Sequence, residues 1–132
     1  MFAKETRILV VDDMLTMRKL MSKALKELGF SDLTEAVDGQ KGWEALQSAT
    51  PAIGLVVSDC GMPNCSGLDL LKRVRGDGRF KNLPFILLTM GSEGVQAAEA
   101  AKAGVDANII KPFTPDVIKA KIEETFKKAT SR

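Results

Sequence analysis

Histidine and tyrosine are both absent from this 132-residue chain, which has two cysteines and one tryptophan. Without histidine there is no Ser/His/Asp or Cys/His nucleophilic triad, no histidine-ligated zinc and no phosphohistidine of its own. Two cysteines, Cys60 and Cys65, cannot build a disulfide framework, so reduced thiols in a cytoplasmic setting are expected. Charge of one sign is lacking as well. Nineteen Lys and Arg stand against 17 Asp and Glu, a formal charge of +2, too small to mark a nucleic-acid surface. The lysines near the end (Lys119, Lys121, Lys127, Lys128) read instead as the solvated face and last turn of a helix. No apolar stretch approaches the length of a membrane span, and the first five residues lack a signal peptide's apolar region. The expectation is a single domain over residues 1–132, monomeric and cytoplasmic, with neither nucleic acid nor membrane as partner.

What the chain does have is alternation. Short apolar runs bounded by turn residues read as buried parallel strands: Arg7 to Val11, Ser31 to Ala36, Ile53 to Ser58, Phe85 to Leu88, and Ala107 to Ile110. Helical patterns lie between them. The first carries Met14, Met17, Leu20, Met21, Ala24, Leu25 and Leu28 at helical spacing, and Gly29 supplies a residue able to turn left-handed at its end. Gly39 to Gln47 is a second helix with Trp43, Ala45 and Leu46, where Trp43 is expected to serve packing. After a loop with Pro63 and Gly67, a third helix carries Leu68, Leu70, Leu71 and Val74 and stops at Gly76. The fourth, Ala-rich, spans about residues 93–103. Thr114 and Pro115 read as N-cap and first position of the last helix, whose buried stripe would be Ile118, Ile122 and Phe126. Five strand–helix repeats predict an α/β fold, a doubly wound parallel sheet with helices on both faces. Alternation alone leaves the strand order open.

Four of the five strands end in a polar group. Asp12 and Asp13 follow the first, Asp59 the third, Thr89 the fourth and Lys111 the fifth. Parallel strands gather their C-terminal ends at one sheet edge, where open α/β sheets place ligands. Three carboxylates meeting there raise a pKa or recruit a cation. Oxygen donors without histidine select a hard divalent ion, with Mg²⁺ the abundant choice. Lys111 and Thr89 offer a charge and a donor to phosphate oxygens, and a carboxylate can act as nucleophile toward phosphorus. Together they describe a phosphoryl-accepting site. Each residue alone has a simpler explanation: Asp12 and Asp13 as helix caps, Asp59 as a turn former, Lys111 as a solvated lysine.

The stretches Leu9-Val10-Val11-Asp12-Asp13, Ser58-Asp59-Cys60-Gly61-Met62-Pro63-Asn64-Cys65-Ser66-Gly67, Leu87-Leu88-Thr89 and Ile110-Lys111-Pro112-Phe113 resemble the signature of response-regulator receiver domains. Length and the segments Thr16-Met17-Arg18 and Leu28-Gly29-Phe30 look most like the single-domain chemotaxis regulators of that family. The resemblance implies a flavodoxin-like (βα)5 sheet in the order 2-1-3-4-5. It further implies Asp59 as phosphoacceptor, with Asp12, Asp13, Asp59 and the Gly61 carbonyl around Mg²⁺. Lys111 and Thr89 would meet the phosphoryl group. A sensor histidine kinase would be the donor, a flagellar motor switch protein the target and a phosphatase a further partner. Phosphorylation and dephosphorylation would be self-catalysed, in a signalling protein rather than a turnover enzyme.

Departures from the family pattern are visible too. Receiver domains usually carry Tyr or Phe three residues before the motif lysine, and the turning of that ring couples phosphorylation to output. Here the position is Asn108, whose short amide cannot fill the space Thr89 would vacate, so weaker coupling or an output through the loop after Thr89 is expected. Met90 follows Thr89 where a small residue is usual, and would partly cover the pocket. Gly61 and Gly91, two residues beyond Asp59 and Thr89, present no side chain to orient a hydrolytic water. Cys60 and Cys65 bracket the acid loop, where ordinary reduced thiols outweigh a redox role. A phosphate sink or phosphorelay intermediate is an alternative function. A metal-dependent phosphohydrolase with Asp59 as covalent nucleophile is another, although the chain has no insertion long enough for a substrate cap. A flavodoxin-like binder is a third, but no Gly-rich loop follows the first strand.

Overall fold

The apolar runs become strands, and the three central ones, each paired on both sides, are covered by helices on both faces. In the computed structural model, which describes residues 1–62 and 65–132, the elements alternate without exception. They are β1 (Ile8–Val11), α1 (Leu15–Glu27), β2 (Leu33–Ala36), α2 (Gly39–Ser48), β3 (Leu55–Asp59), α3 (Gly67–Arg75), β4 (Phe85–Met90), a single 3-10 turn (Gly91–Glu93), α4 (Gly94–Ala103), β5 (Ala107–Lys111) and α5 (Pro115–Thr130). The strands pair in parallel in the order β2-β1-β3-β4-β5, the order implied by the family resemblance. The expected loop residue Pro63 and its neighbour Asn64 lie outside the described residues.

The period-two alternation of the strands divides the core. Leu9, Val11, Val56, Phe85 and Leu87 face one side, where Trp43, Leu70, Leu71, Val74 and Ala100 of α2, α3 and α4 cover them. Ile8, Val10, Val57, Ile86, Leu88 and Ile109 face the other, against Met21 and Leu25 of α1 and Ile118 and Ile122 of α5. Trp43 packs edge-on to Phe80, ring centroids 5.7 Å apart, under the Arg73 guanidinium, a packing role as expected. Among the described residues no helix is long and apolar enough to cross a membrane.

Helix ends follow the local chemistry. Ser66 and Asp69 form a reciprocal capping box at α3, Asp38 accepts from Lys41 N at α2, and Thr114 accepts from Val117 N with Pro115 in the first turn of α5. Gly29 takes φ +103° just beyond α1, as its position suggests.

Three expectations are corrected. Met14 and Leu20 are exposed, not part of the buried stripe of α1. Met14 is the residue before the helix, and only the side carrying Met21, Ala24 and Leu25 meets the sheet. Phe126 is half-buried and packs edge-on against Phe2. The stripe of α5 runs Ile118, Ile122, Thr125, at spacings of four and three, so position 126 falls on its flank. Several strand boundaries are also narrower, β1 starting at Ile8, β2 at Leu33 and β3 at Leu55.

Candidate functional site

Register brings the chemistry together. Val11 lies opposite Ser58, Asp59 opposite Leu88, and Met90 opposite Lys111, so residues that follow or end these strands emerge along one edge. Carboxylate oxygens of Asp12, Asp13 and Asp59 lie within 4.8 Å of one another, with Asp12 and Asp59 buried and Asp13 exposed. The Lys111 ammonium pairs directly with Asp59 and stands 4.0 Å from Asp12. Asp12 is fixed from two sides. Its backbone N–H donates to the Ala36 carbonyl, and its carboxylate accepts from Met14 N at 2.9 Å. The helix-cap reading of Asp12 and Asp13 does not hold, since the N-cap of α1 is Met14 with no side-chain cap bond; the Asp12 contact shapes the turn into α1 and leaves a carboxylate oxygen toward Lys111.

Asp59 is held by its backbone. Cys60 N donates to the Leu88 carbonyl and Gly67 N to the Cys60 carbonyl, which ties the acid loop to both β4 and the start of α3. A Cβ on Gly67 would lie 2.0 Å from the Asp59 carbonyl oxygen, so glycine alone permits this approach. Gly67→Ala is expected to cost at least about 2 kcal/mol and to displace Asp59. Chemical denaturation, with Mg²⁺ affinity measured on the folded fraction, checks this.

Burial raises the Asp12 carboxyl above the ordinary carboxylate range, and the neighbouring Asp59 and Asp13 charges add to it against the Met14 N–H and Lys111. Burial likewise raises Asp59, opposed by Lys111 and reinforced by the charges of Glu93 and Asp13. Three carboxylates face one ammonium, an excess of negative charge that a divalent cation relieves. The donor set suits such an ion. Its oxygens are hard ligands, while burial pushes the Cys60 thiol up to about 11 and raises Cys65, which disfavours a thiolate nucleophile at either position. Among the described residues, Asp12, Asp13 and Asp59 are the carboxylates close enough to share a divalent ion such as Mg²⁺.

Thr89 stands on the same edge, but its hydroxyl is engaged elsewhere. Oγ1 lies 3.2 Å from Asn108 Oδ1 and 3.1 Å from Asn108 Nδ2. Asn108 is thus more than a polar residue on an edge strand. Met90 is half exposed, and its N–H donates to Glu93 Oε1 at 2.6 Å.

Glu93 is the acid that the sequence motifs do not reveal. A Cβ on Gly61 would lie 3.0 Å from Glu93 Oε2, and the Glu93 charge acts on both Asp59 and Cys60. Although Gly61 and Gly91 carry no side chains, a carboxylate from the 3-10 turn occupies the space beside Gly61. The only signal in the sequence is an acid four residues after Thr89, and its reach depends on that turn.

Residues 8–123 match the response regulator receiver domain family. Over 117 residues the chain is 44% identical to chemotaxis protein CheY1 of Helicobacter pylori, covering 89% of this chain and 94% of that one. It is 42% identical over 122 residues to chemotaxis protein CheY of Pseudomonas aeruginosa, covering 92% and 97% of the two chains. A solved response regulator receiver domain protein from Clostridium thermocellum shares the fold, with a TM-score of 0.85 at 24% identity over 95% of this chain and 97% of that one.

Proposed function

The chain belongs to the response regulator receiver domain family, and from that premise we propose that it is a chemotaxis response regulator switched by phosphorylation of Asp59. The observation that carries this reading is the grouping of Asp12, Asp13 and Asp59 with Lys111 at one sheet edge. A histidine kinase serves as phosphate donor, and the protein is a cytoplasmic signalling module that promotes its own phosphorylation and dephosphorylation. The names of the relatives that it resembles nearly end to end favour chemotaxis over a phosphate sink, a relay intermediate or a phosphohydrolase.

In the transfer, an Asp59 carboxylate oxygen attacks phosphorus as the bond from phosphorus to the donor's imidazole nitrogen breaks, the electron pair leaving with the nitrogen. Lys111, already against Asp59, stays with the phosphoryl oxygens and offsets their charge. Asp12, Asp13 and Asp59, with the Gly61 carbonyl, would hold Mg²⁺, which would neutralise charge on the phosphoryl group. Gly67 and the backbone bonds of Cys60 keep the acceptor from moving during the transfer. Thr89 donates its hydroxyl proton to a phosphoryl oxygen once the group is in place.

Output runs through the face of α4, β5 and α5, where Val95, Ile110 and Val117 are exposed apolar side chains suited to a flagellar motor switch protein. Intact mass after incubation with acetyl phosphate and Mg²⁺ tests the proposal. One added phosphoryl group located on Asp59 is expected. No adduct with either acetyl phosphate or beryllofluoride, the latter read by amide chemical shifts, would refute it.

A further inference from the structure

The hydroxyl of Thr89 has one proton to give, and Asn108 holds it. Thr89 is 1% exposed, so water does not serve as an alternative partner. The two residues are diagonal neighbours across β4 and β5, since Leu87 lies opposite Asn108 and Thr89 opposite Ile110. Both lie on the face covered by α4, in phase with Leu87. Oγ1 lies almost midway between the amide oxygen at 3.2 Å and the amide nitrogen at 3.1 Å. Both amide atoms lie on the same side of Oγ1, so the hydroxyl either donates to Oδ1 or accepts from Nδ2–H, and only the first satisfies its buried proton. Exchanging the two amide atoms would leave the arrangement unchanged, so it does not depend on which way the amide is assigned.

We infer that Asn108 is a positioning residue which competes with the phosphoryl group for the single proton of Thr89, so that the amide, in place of a ring, sets how tightly the site closes on its ligand. The inference rests on the proposed function, in which Thr89 donates to a phosphoryl oxygen. For that donation the proton must leave Asn108 Oδ1. The Nδ2–H can donate to Oγ1 only after the hydroxyl proton has turned away from Oδ1. A larger rotation of Thr89 breaks both contacts and leaves the half-buried amide without them. In either case the free protein keeps a hydrogen bond that the phosphorylated protein gives up. A hydrophobic ring at the same position offers the hydroxyl no such partner.

The expected effect is the net worth of a neutral hydrogen bond, about 2- to 12-fold in affinity. Beryllofluoride with Mg²⁺, titrated by amide NMR, reads it on the phosphoryl analogue without relying on phosphate lifetime. Asn108→Ala should bind about 2- to 12-fold tighter than the unaltered protein. Asn108→Leu, which keeps the volume and removes the polar atoms, should shift the same way and carries the test if the alanine variant does not fold. In a Thr89→Ala background the Asn108 substitutions should lose their effect, which a merely structural role for Asn108 would not produce. Equal or weaker binding by the folded Asn108 variants would overturn the inference, as would a gain that persists without the Thr89 hydroxyl. Absence of beryllofluoride binding by the unaltered protein would remove the proposed function as well, whereas binding that the Asn108 variants leave unchanged would remove this inference alone.

Discussion

Asp59→Asn takes up no phosphoryl group from acetyl phosphate and Mg²⁺, and in the absence of metal it melts above the unaltered protein at neutral pH. The first result follows from chemistry, because an amide has no anionic oxygen to attack phosphorus. The second is a balance of two effects. Ionised Asp59 gains from the Lys111 ammonium that pairs with it, but it is buried and faces the charges of Glu93 and Asp13. Burial with those repulsions outweighs Lys111, since the net effect raises its carboxyl above the ordinary range. A group with a raised folded-state pKa contributes stability below its unfolded pKa of 3.8 and loses it as pH rises through the folded value. The melting difference between Asp59→Asn and the unaltered protein should therefore be near zero below pH 3.8, where both side chains are neutral, and grow as pH rises through the raised carboxyl's titration. A variant that melts lower at neutral pH would show that the Lys111 pairing wins, and that Asp59 holds the loop together as an ion pair. Differential scanning calorimetry from acid to neutral pH in chelator resolves the sign.

Much of this arrangement was legible because it is written one-dimensionally. Each core strand is an apolar run, and the residue that ends the run is the residue delivered to the edge. Asp12, Asp59, Thr89 and Lys111 needed only the assumption of parallel strands, whereas the order of those strands came from the family resemblance and not from periodicity. What could not be read depends on geometry across elements. The meeting of Thr89 and Asn108 is a diagonal across the β4–β5 register, and no local pattern encodes a register. Glu93 reaches the space beside Gly61 because its other oxygen accepts from Met90 N within a tight turn, which a helical pattern beginning at residue 93 hides. Asp106 is hidden for a similar reason. It looks like a turn acid before β5, yet it is buried, accepts from Phe85 N at 2.9 Å and pairs with Arg75 and Arg132. That cluster joins the start of β4 to the end of the chain, at the far end of β4 from Thr89.

Saturating Mg²⁺ should stabilise the fold more than any single substitution at its rim. At a hundredfold excess over the dissociation constant the linkage is worth about 2.7 kcal/mol, roughly 10 °C in melting temperature for a domain of this size. Asp12, Asp13 and Asp59 must be ionised to bind, and burial raises both Asp12 and Asp59, so the shift should shrink as pH falls into the carboxyl range. Sodium at matched ionic strength should not reproduce it, because screening acts weakly on buried charges. Lys111 makes the test sharper. Its ammonium already partners Asp59, so metal and lysine are two cations drawing on the same carboxylate. Lys111→Met removes that competitor and should raise Mg²⁺ affinity. The same substitution should slow phosphoryl uptake by about 10²–10³-fold, the usual loss when a charge aimed at the transferring group is removed. Opposite movement of affinity and rate in one variant distinguishes a lysine that serves the phosphoryl group from one that serves the fold. If both fall together, Lys111 is holding the acidic edge in shape, and the melting temperature of the metal-free variant would fall with them.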